Sequence, residues 1–128
     1  MKTLIVIFTL VTLNTGFAAA TKNEDGSFKI SDKAKMTMGI RFQKLDNRNQ
    51  WLLPKSSLVK IKFTEGVYRK IQDDITYVIV NVIKSNENHV FIESEDLESG
   101  DEVAIEGVQF LRLTESDLNS DTVDSCAH

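Results

Sequence analysis

Alternating apolar and polar residues dominate the chain from Phe28 onward, a pattern typical of strands with one face in a core. Val59, Ile61 and Phe63 alternate with lysines and are expected to share the core side of one strand. The segment 75–83 is the richest in β-branched residues and is predicted to be a central strand covered on both faces. Weaker patterns bounded by turn residues predict further strands at 28–30, 40–43, 67–71, 89–92 and 103–105.

One short helix interrupts the strands near the start of this pattern. Ser31 is suited to cap the start of a helix and Gly39 to end it, which predicts helical turns over 32–38. Short strands at near-regular spacing, with this single helix, predict a mainly all-β fold. We expect a small β-barrel or β-roll of about six or seven strands.

The N-terminus has a different pattern, that of a cleavable secretory signal peptide over residues 1–20. Lys2 supplies a positive charge, residues 4–13 form an apolar run, and Ala18-Ala19-Ala20 offers the small residues that signal peptidase accepts. A membrane anchor would need about 20 continuous apolar residues. Asn14 and Gly16 interrupt the run before that length, so cleavage near Ala20 and export of the remainder are predicted.

The remaining chain divides into three parts. Residues 21–27 are polar and are interpreted as a flexible lead-in, because they end in a turn-forming Asp-Gly pair. Residues 28–113 contain all the predicted strands and form one domain. Residues 114–128 are polar and are interpreted as a flexible tail.

Charge and cysteine content narrow the possible partners. Without Lys2, 14 basic residues face 19 acidic ones, so the net charge of the exported chain is -5. Proteins that bind nucleic acid usually carry a clustered basic excess, so nucleic acid is excluded as the expected partner. Cys126 is the single cysteine, and no internal disulfide can form. It could form an intermolecular disulfide or remain a free thiol.

Catalytic chemistry finds little support in the residue types. The only histidines are His89, predicted at a hairpin edge on the surface, and His128 at the C-terminus, so no nucleophile–base–acid triad is indicated. A group of acids around one turn could be read as a paired-carboxylate site, but charges at a turn normally face water. These acids are Glu93, Glu95, Asp96, Glu98, Asp101 and Glu102.

A soft-metal site is the one binding-site hypothesis that the residues suggest. Cys126 and His128 supply a thiolate and an imidazole, and Met36 and Met38 supply thioethers, a ligand set that suits copper(I) or a similar ion. Against it, methionines on a short helix are usually core residues, and two ligands on a mobile tail make a weak site.

Four segments carry motifs of a known family. Leu97-Glu-Ser-Gly-Asp-Glu-Val-Ala-Ile-Glu-Gly-Val-Gln-Phe-Leu111 follows a Leu-x-x-Gly-Asp-x-Val-x-x-x-Gly-x-x-x-Leu pattern and in this resembles the periplasmic adaptor subunits, or membrane fusion proteins, of resistance-nodulation-division efflux pumps. Leu53-Pro-Lys-Ser-Ser-Leu58 resembles the start of their last domain, and Gly66-Val-Tyr68 its next strand. Residues 30–40 are similar to the adaptor segment in which a short helix ends in Gly-Ile before a strand.

The resemblance covers residues 28–112 and implies a membrane-proximal domain standing alone. In full-length adaptors, lipoyl, helical-hairpin and barrel domains are inserted between these segments, whereas here five polar residues separate Leu45 from Trp51. The resemblance implies a non-enzymatic periplasmic accessory domain whose partners are an inner-membrane transporter or adaptor proteins. A small periplasmic copper-binding or copper-delivery protein is the alternative, and a remnant domain with only a structural role is a third possibility.

Overall fold

The computed structural model describes the backbone of residues 20–126 and the side chains of residues 20–120. The predicted signal peptide therefore lies outside the described residues except for Ala20. The described part has ten strands, two α-helices and one 3-10 turn at Lys55–Ser57. In chain order the elements are β1 (Ala20–Lys22), β2 (Phe28–Ile30), α1 (Asp32–Thr37), β3 (Arg41–Lys44), β4 (Gln50–Pro54), β5 (Val59–Ile61), β6 (Thr64–Ile71), β7 (Asp74–Ile79), β8 (Asn81–Ser85), β9 (His89–Glu93), β10 (Glu102–Glu106) and α2 (Val108–Cys126).

The strands form two antiparallel sheets, which confirms the prediction of a mainly β fold. Seven strands make the larger sheet, in the order β1-β2-β7-β6-β10-β3, with β5 paired to the first half of β6. The smaller sheet has the order β4-β9-β8. The expected barrel is wrong in one respect: the sheets do not close, because β1 and β3 end the larger sheet at opposite edges. The strand count also exceeds the predicted six or seven.

The larger sheet is buried on both faces, so the protein has two cores. Neighbouring residues of one strand enter different cores: Val67 and Tyr68 of β6 do so, as do Val103 and Ala104 of β10. One core lies against α1 and α2, and we call it the helix-side core. The other lies against the smaller sheet and is the sheet-side core. A strand with alternate side chains in two cores is fixed in register, since a slip by one residue would exchange its faces.

Local signals placed the first helix correctly. The Ser31 Oγ accepts a hydrogen bond from the backbone N–H of Ala34 at 3.1 Å, and Gly39 leaves the helix with a φ of 66°. The predicted hairpin between β8 and β9 is also confirmed. There the Asn86 Oδ1 accepts from the N–H groups of Asn88 and His89 and closes the turn.

The predicted single strand over 75–83 is wrong, because the chain changes sheet within it. β7 belongs to the larger sheet and β8 to the smaller one, and the backbone N–H of Val80, between them, donates to the Glu65 carbonyl. Ile79 and Ile83 are exposed rather than covered. The β-branched residues favour strands, and strands do form here. Their pattern does not indicate that the chain leaves the larger sheet for the smaller one.

Three further elements differ from the sequence expectations. The predicted lead-in at 21–27 contains part of β1, which pairs with β2, and the buried Ser27. Residues from Thr114, predicted as a polar tail, continue α2 as far as Cys126. Phe63, expected on the core side of a strand, lies in the two-residue turn between β5 and β6 and is fully exposed.

Candidate functional site

An open groove of about 870 Å³ lies where the chain passes from β7 to β8. On one side it is bounded by the β3–β4 loop, including Arg48, and on the other by the β9–β10 loop. Its floor is apolar and four carboxylic acids line its wall. We call it the acidic groove. The floor residues are Trp51, Ile79, Val80 and Leu97, and the acids are Glu93, Glu95, Asp96 and Glu98.

The floor combines fixed and accessible apolar surface. Trp51 is 4% exposed, and its indole N–H donates to the Asp46 carbonyl at 3.1 Å, which holds the ring against the β3–β4 loop. Leu97 is also buried. Ile79 differs, with 55% of its surface exposed. It is the last residue of β7, just before the chain enters the smaller sheet as β8 at Asn81.

Three hydrogen bonds fix the first half of the acidic wall. The Ser94 Oγ donates to the Ile79 carbonyl at 3.0 Å and accepts from the N–H of Asp96 at 3.1 Å. The Arg69 Nη1 donates to the Asp96 carbonyl at 2.6 Å. A charge-assisted bond of this length attaches the loop to β6, in the centre of the larger sheet.

The second half of the wall is attached to the opposite loop. The Asp101 Oδ2 accepts from the N–H of Glu98 at 2.9 Å, and the N–H of Gly100 donates to the Leu45 carbonyl at 2.9 Å. The Ser99 Oγ donates to the Asn47 Oδ1 at 3.3 Å. The two loops bordering the groove are thus bonded to each other, and the groove is formed before any ligand arrives.

The four groove acids have no cationic partner among the described residues. Five ion pairs occur there, and none of them includes a groove acid. Arg48, which also lines the groove, pairs with Asp46 at 3.4 Å. Glu93 accepts a hydrogen bond from the neutral Gln50 side chain at 3.2 Å. The groove therefore carries more acids than cations: Arg48 lines it and Arg69 is bonded to the Asp96 carbonyl, but neither forms an ion pair with the four groove acids.

The structure divides the six acids that the sequence grouped together. Four line the groove, while Asp101 holds the β9–β10 loop and Glu102 pairs with Lys70 at 3.1 Å. Sequence reasoning identified the acids but missed Trp51 and Ile79. Both belong to strands distant from the acidic loop in sequence. The pairing of β4 with β9 brings Trp51 beside the loop, and the hydrogen bond from Ser94 to the Ile79 carbonyl brings Ile79 there.

The proposed metal ligands are only partly described. Met36 is 83% exposed at the surface of α1, so it is not a core residue, whereas Met38 packs against the helix-side core. The side chains of Cys126 and His128 lie outside the described residues. Within residues 20–120, no group of three or more His, Cys, Asp or Glu side chains is placed to hold a metal ion. His89 is exposed, as predicted.

On the opposite face of the larger sheet, a buried tyrosine is the main polar feature. The Tyr68 side chain is fully buried, packs edge-on against Phe28 and Tyr77, and donates from its hydroxyl to the Glu115 Oε1 at 2.9 Å. Burial, followed by the nearby Glu115 carboxylate, raises the pKa of Tyr68 far above its ordinary value. Tyr68 therefore stays protonated and joins α2 to β6.

Comparisons with known proteins identified no relative: no protein-family model, curated protein or solved structure matches the chain. The resemblance to adaptor subunits therefore depends on its motifs alone. Among the helices of the described residues, none combines the length and the apolar character needed to cross a membrane.

Proposed function

We propose that the protein is an exported, non-enzymatic binding domain that works in the periplasm beside a resistance-nodulation-division efflux transporter. The observation that carries the binding role is the acidic groove: an apolar floor between two loops that are bonded to each other and lined by unneutralised acids. Preformed concave sites with an apolar floor and a few convergent polar groups are the usual places where proteins take ligands.

The link to a transporter is supported by the adaptor-like motif, whose glycines and valine have clear structural roles in this chain. Gly100 turns the chain with a φ of 92°, and Val103 is fully buried. Gly107 has a φ of 74°, and a Cβ there would lie 2.8 Å from the Ile40 Cγ1. A side chain at 107 would be excluded by both backbone strain and contact, so the glycine of the motif serves packing in this chain.

The transporter association is tested by crosslinking in the native cell envelope. A tagged, full-length chain is expressed, the envelope is crosslinked, and the captured proteins are identified by mass spectrometry against an exported control protein of similar size and charge. We expect a transporter or adaptor component to be enriched. Capture without any such component would contradict the association. N-terminal sequencing of the exported chain tests the predicted cleavage near Ala20 in the same preparation.

Copper(I) binding is the alternative function, and the exposed thioether of Met36 is the observation in its favour. This alternative predicts that the protein binds copper(I) with an affinity that falls when the chain is cut before Ser125, which removes Cys126 and His128, and falls further in Met36→Leu. Titration against a chromophoric competitor measures both effects. Equal affinity in the whole and the shortened chain would exclude the C-terminal site.

A further inference from the structure

We propose that the acidic groove binds an extended, lysine- or arginine-containing peptide segment of a partner protein, with an apolar side chain of that segment on the groove floor. This inference rests on the proposed function, because it names the class of ligand that the binding domain takes. Three properties of the groove support this choice of occupant: its floor, its charge and its shape.

The floor offers a place for an apolar side chain. Ile79 exposes 55% of its surface and lines the groove together with Trp51 and Leu97, which are both held in fixed positions by burial. An apolar side chain entering here would cover Ile79 and gain roughly 25 cal/mol for each Å² removed from water. Trp51 lies beside this surface but is only 4% exposed, so Ile79 is the main apolar contact that the floor offers.

The charge of the groove selects a cationic occupant. Among the other acids of the described residues, five are paired with lysine or arginine, as in Glu102–Lys70 and Glu106–Arg41. The four groove acids have no such partner, so they repel one another in the folded state. A lysine- or arginine-containing segment would relieve this repulsion on binding, whereas nucleic acid and acidic peptides would increase it.

The shape favours a stretch of chain over a small molecule. The groove is open to solvent rather than enclosed, so it suits a segment that passes through it and continues on both sides. Its walls are already ordered by the bonds from Ser94, Arg69 and Ser99. Binding then orders mainly the peptide, which lowers the entropic cost of association.

The test uses the exported protein and two synthetic peptides of equal length, one alternating lysine with leucine and the other alternating glutamate with leucine. Trp51 is the only tryptophan in the chain and lies in the groove, so its fluorescence reports occupancy directly. We expect a saturable change in Trp51 emission with the basic peptide and none with the acidic peptide at the same concentration. A response to both peptides, or to neither, would overturn the proposal.

Two variants with the same change in net charge locate the binding site. The groove variant carries Glu93→Gln, Glu95→Gln, Asp96→Asn and Glu98→Gln. The matched variant carries Glu24→Gln, Asp73→Asn, Glu87→Gln and Asp117→Asn, all at exposed positions away from the groove. We expect the groove variant to bind the basic peptide about tenfold more weakly, from four modest surface charge interactions. The matched variant should bind within about twofold of the wild type. Equal weakening in both variants would show general electrostatic attraction instead of a site.

A second pair of variants decides the question if the fourfold groove variant does not fold. Ile79→Ser removes apolar surface from the floor, and Ile83→Ser removes it from an exposed position of β8 outside the groove lining. Both side chains are exposed, so both variants should fold. Weaker binding in Ile79→Ser alone supports the proposal, and equal binding in the two variants contradicts it.

The experiments distinguish failure of the peptide-binding inference from failure of the proposed transporter association. Peptide binding in the groove without recovery of a transporter component contradicts only the transporter association. Recovery of the transporter to the same extent by the wild type and by the groove variant contradicts only the groove as the binding surface.

Discussion

The helix-side core and the acidic groove differ in whether their polar groups are buried or exposed. On the helix side, Tyr68 is fully buried and its hydroxyl is bonded to Glu115, so the polar group is used inside the fold. Where the chain leaves β7 for β8, Ile79 is exposed, and the four groove acids have no cationic partner among the described residues. The buried tyrosine thus stabilises the fold, whereas the groove keeps an apolar side chain and acids at the surface.

The largest expected effect is the loss of α2 packing on the helix side. Leu111 is fully buried in the helix-side core, so Leu111→Ala should lower the free energy of unfolding by about 2–5 kcal/mol. Leu113, two residues further along the same helix, is 60% exposed. Leu113→Ala should change the free energy of unfolding by less than about 0.5 kcal/mol. Urea denaturation of both variants measures the contrast, and similar losses would contradict the assigned helix orientation.

The next effect concerns the bond between the sheet and α2. Tyr68→Phe keeps the aromatic packing against Phe28 and Tyr77 but removes the hydrogen bond to Glu115. We expect a loss of about 1–2 kcal/mol in the free energy of unfolding, measured in urea at neutral pH. Tyr77→Phe is the comparison variant. It removes the hydrogen bond from the hydroxyl of Tyr77, which packs against Tyr68, to the Val59 carbonyl.

The same tyrosine predicts a loss of stability in alkali. The pKa of Tyr68 is raised in the folded state by burial and by Glu115, so the folded protein retains a proton that the unfolded chain releases above about pH 10. The stabilisation is complete below that pH and is lost as the pH rises above it. Tyr68→Phe should remove this part of the alkaline decline. An identical decline in the wild type and in Tyr68→Phe would contradict the prediction.

A smaller effect of opposite sign is expected at the groove. Removing like charges that repel one another should raise stability, so Glu95→Gln and Glu98→Gln should each increase the free energy of unfolding by about 0.5 kcal/mol or less at low salt. Salt screens exposed charges, so the increase should vanish at about 1 M salt. Urea denaturation at the two salt concentrations measures it. A decrease in stability would mean that these acids make stabilising contacts.

The smallest effect lies in the turn before β2. The Asp25 Oδ1 accepts hydrogen bonds from the Ser27 Oγ at 2.6 Å and the Ser27 N–H at 3.0 Å, and these bonds lower the pKa of Asp25 below its ordinary value of 3.8. The contribution is present above that value and is lost as the pH falls through the lowered pKa. Asp25→Asn should therefore reduce acid sensitivity slightly in thermal melts between about pH 2 and 5, and an unchanged pH profile would contradict this.

Sequence patterns predicted the elements that depend on neighbouring residues. The helix between Ser31 and Gly39 and the hairpin turn at Asn86 are set by local hydrogen bonds and by a glycine that adopts positive φ. Such features appear in a short window of sequence. Most individual strands were predicted for the same reason, since alternation is visible within each strand.

Features set by distant partners were missed. The apolar positions of α2 that contact the helix-side core, Val108, Leu111 and Leu118, are separated by polar or exposed residues, and the polar sequence from Thr114 onward resembled a flexible tail. The change from β7 to β8 depends on which sheet each strand joins. Phe63 continued an alternating pattern, yet the turn placed it in solvent. In each case the structure depends on contacts with distant parts of the chain, which the local sequence pattern does not reveal.

The acids of the candidate site could be predicted from the sequence, but its floor could not. Its acids are clustered over 93–98, and the acidic loop was identified as a group. Its floor was not, because Trp51 and Ile79 reach the groove through β4 and β7, which lie more than ten residues away along the chain. A single exposed isoleucine at the end of a strand gives no sequence signal that it borders a groove.

The most direct test of the central claim is to map where a basic peptide contacts the protein. A lysine–leucine peptide carrying a photoreactive leucine analogue is crosslinked to the purified protein, and the modified residues are identified by mass spectrometry. We predict crosslinks at Ile79 and in the acidic loop over 93–98, and their loss in the groove variant. Crosslinks concentrated on the outer face of the smaller sheet, where Leu52 and Phe91 pair across β4 and β9, would contradict the account.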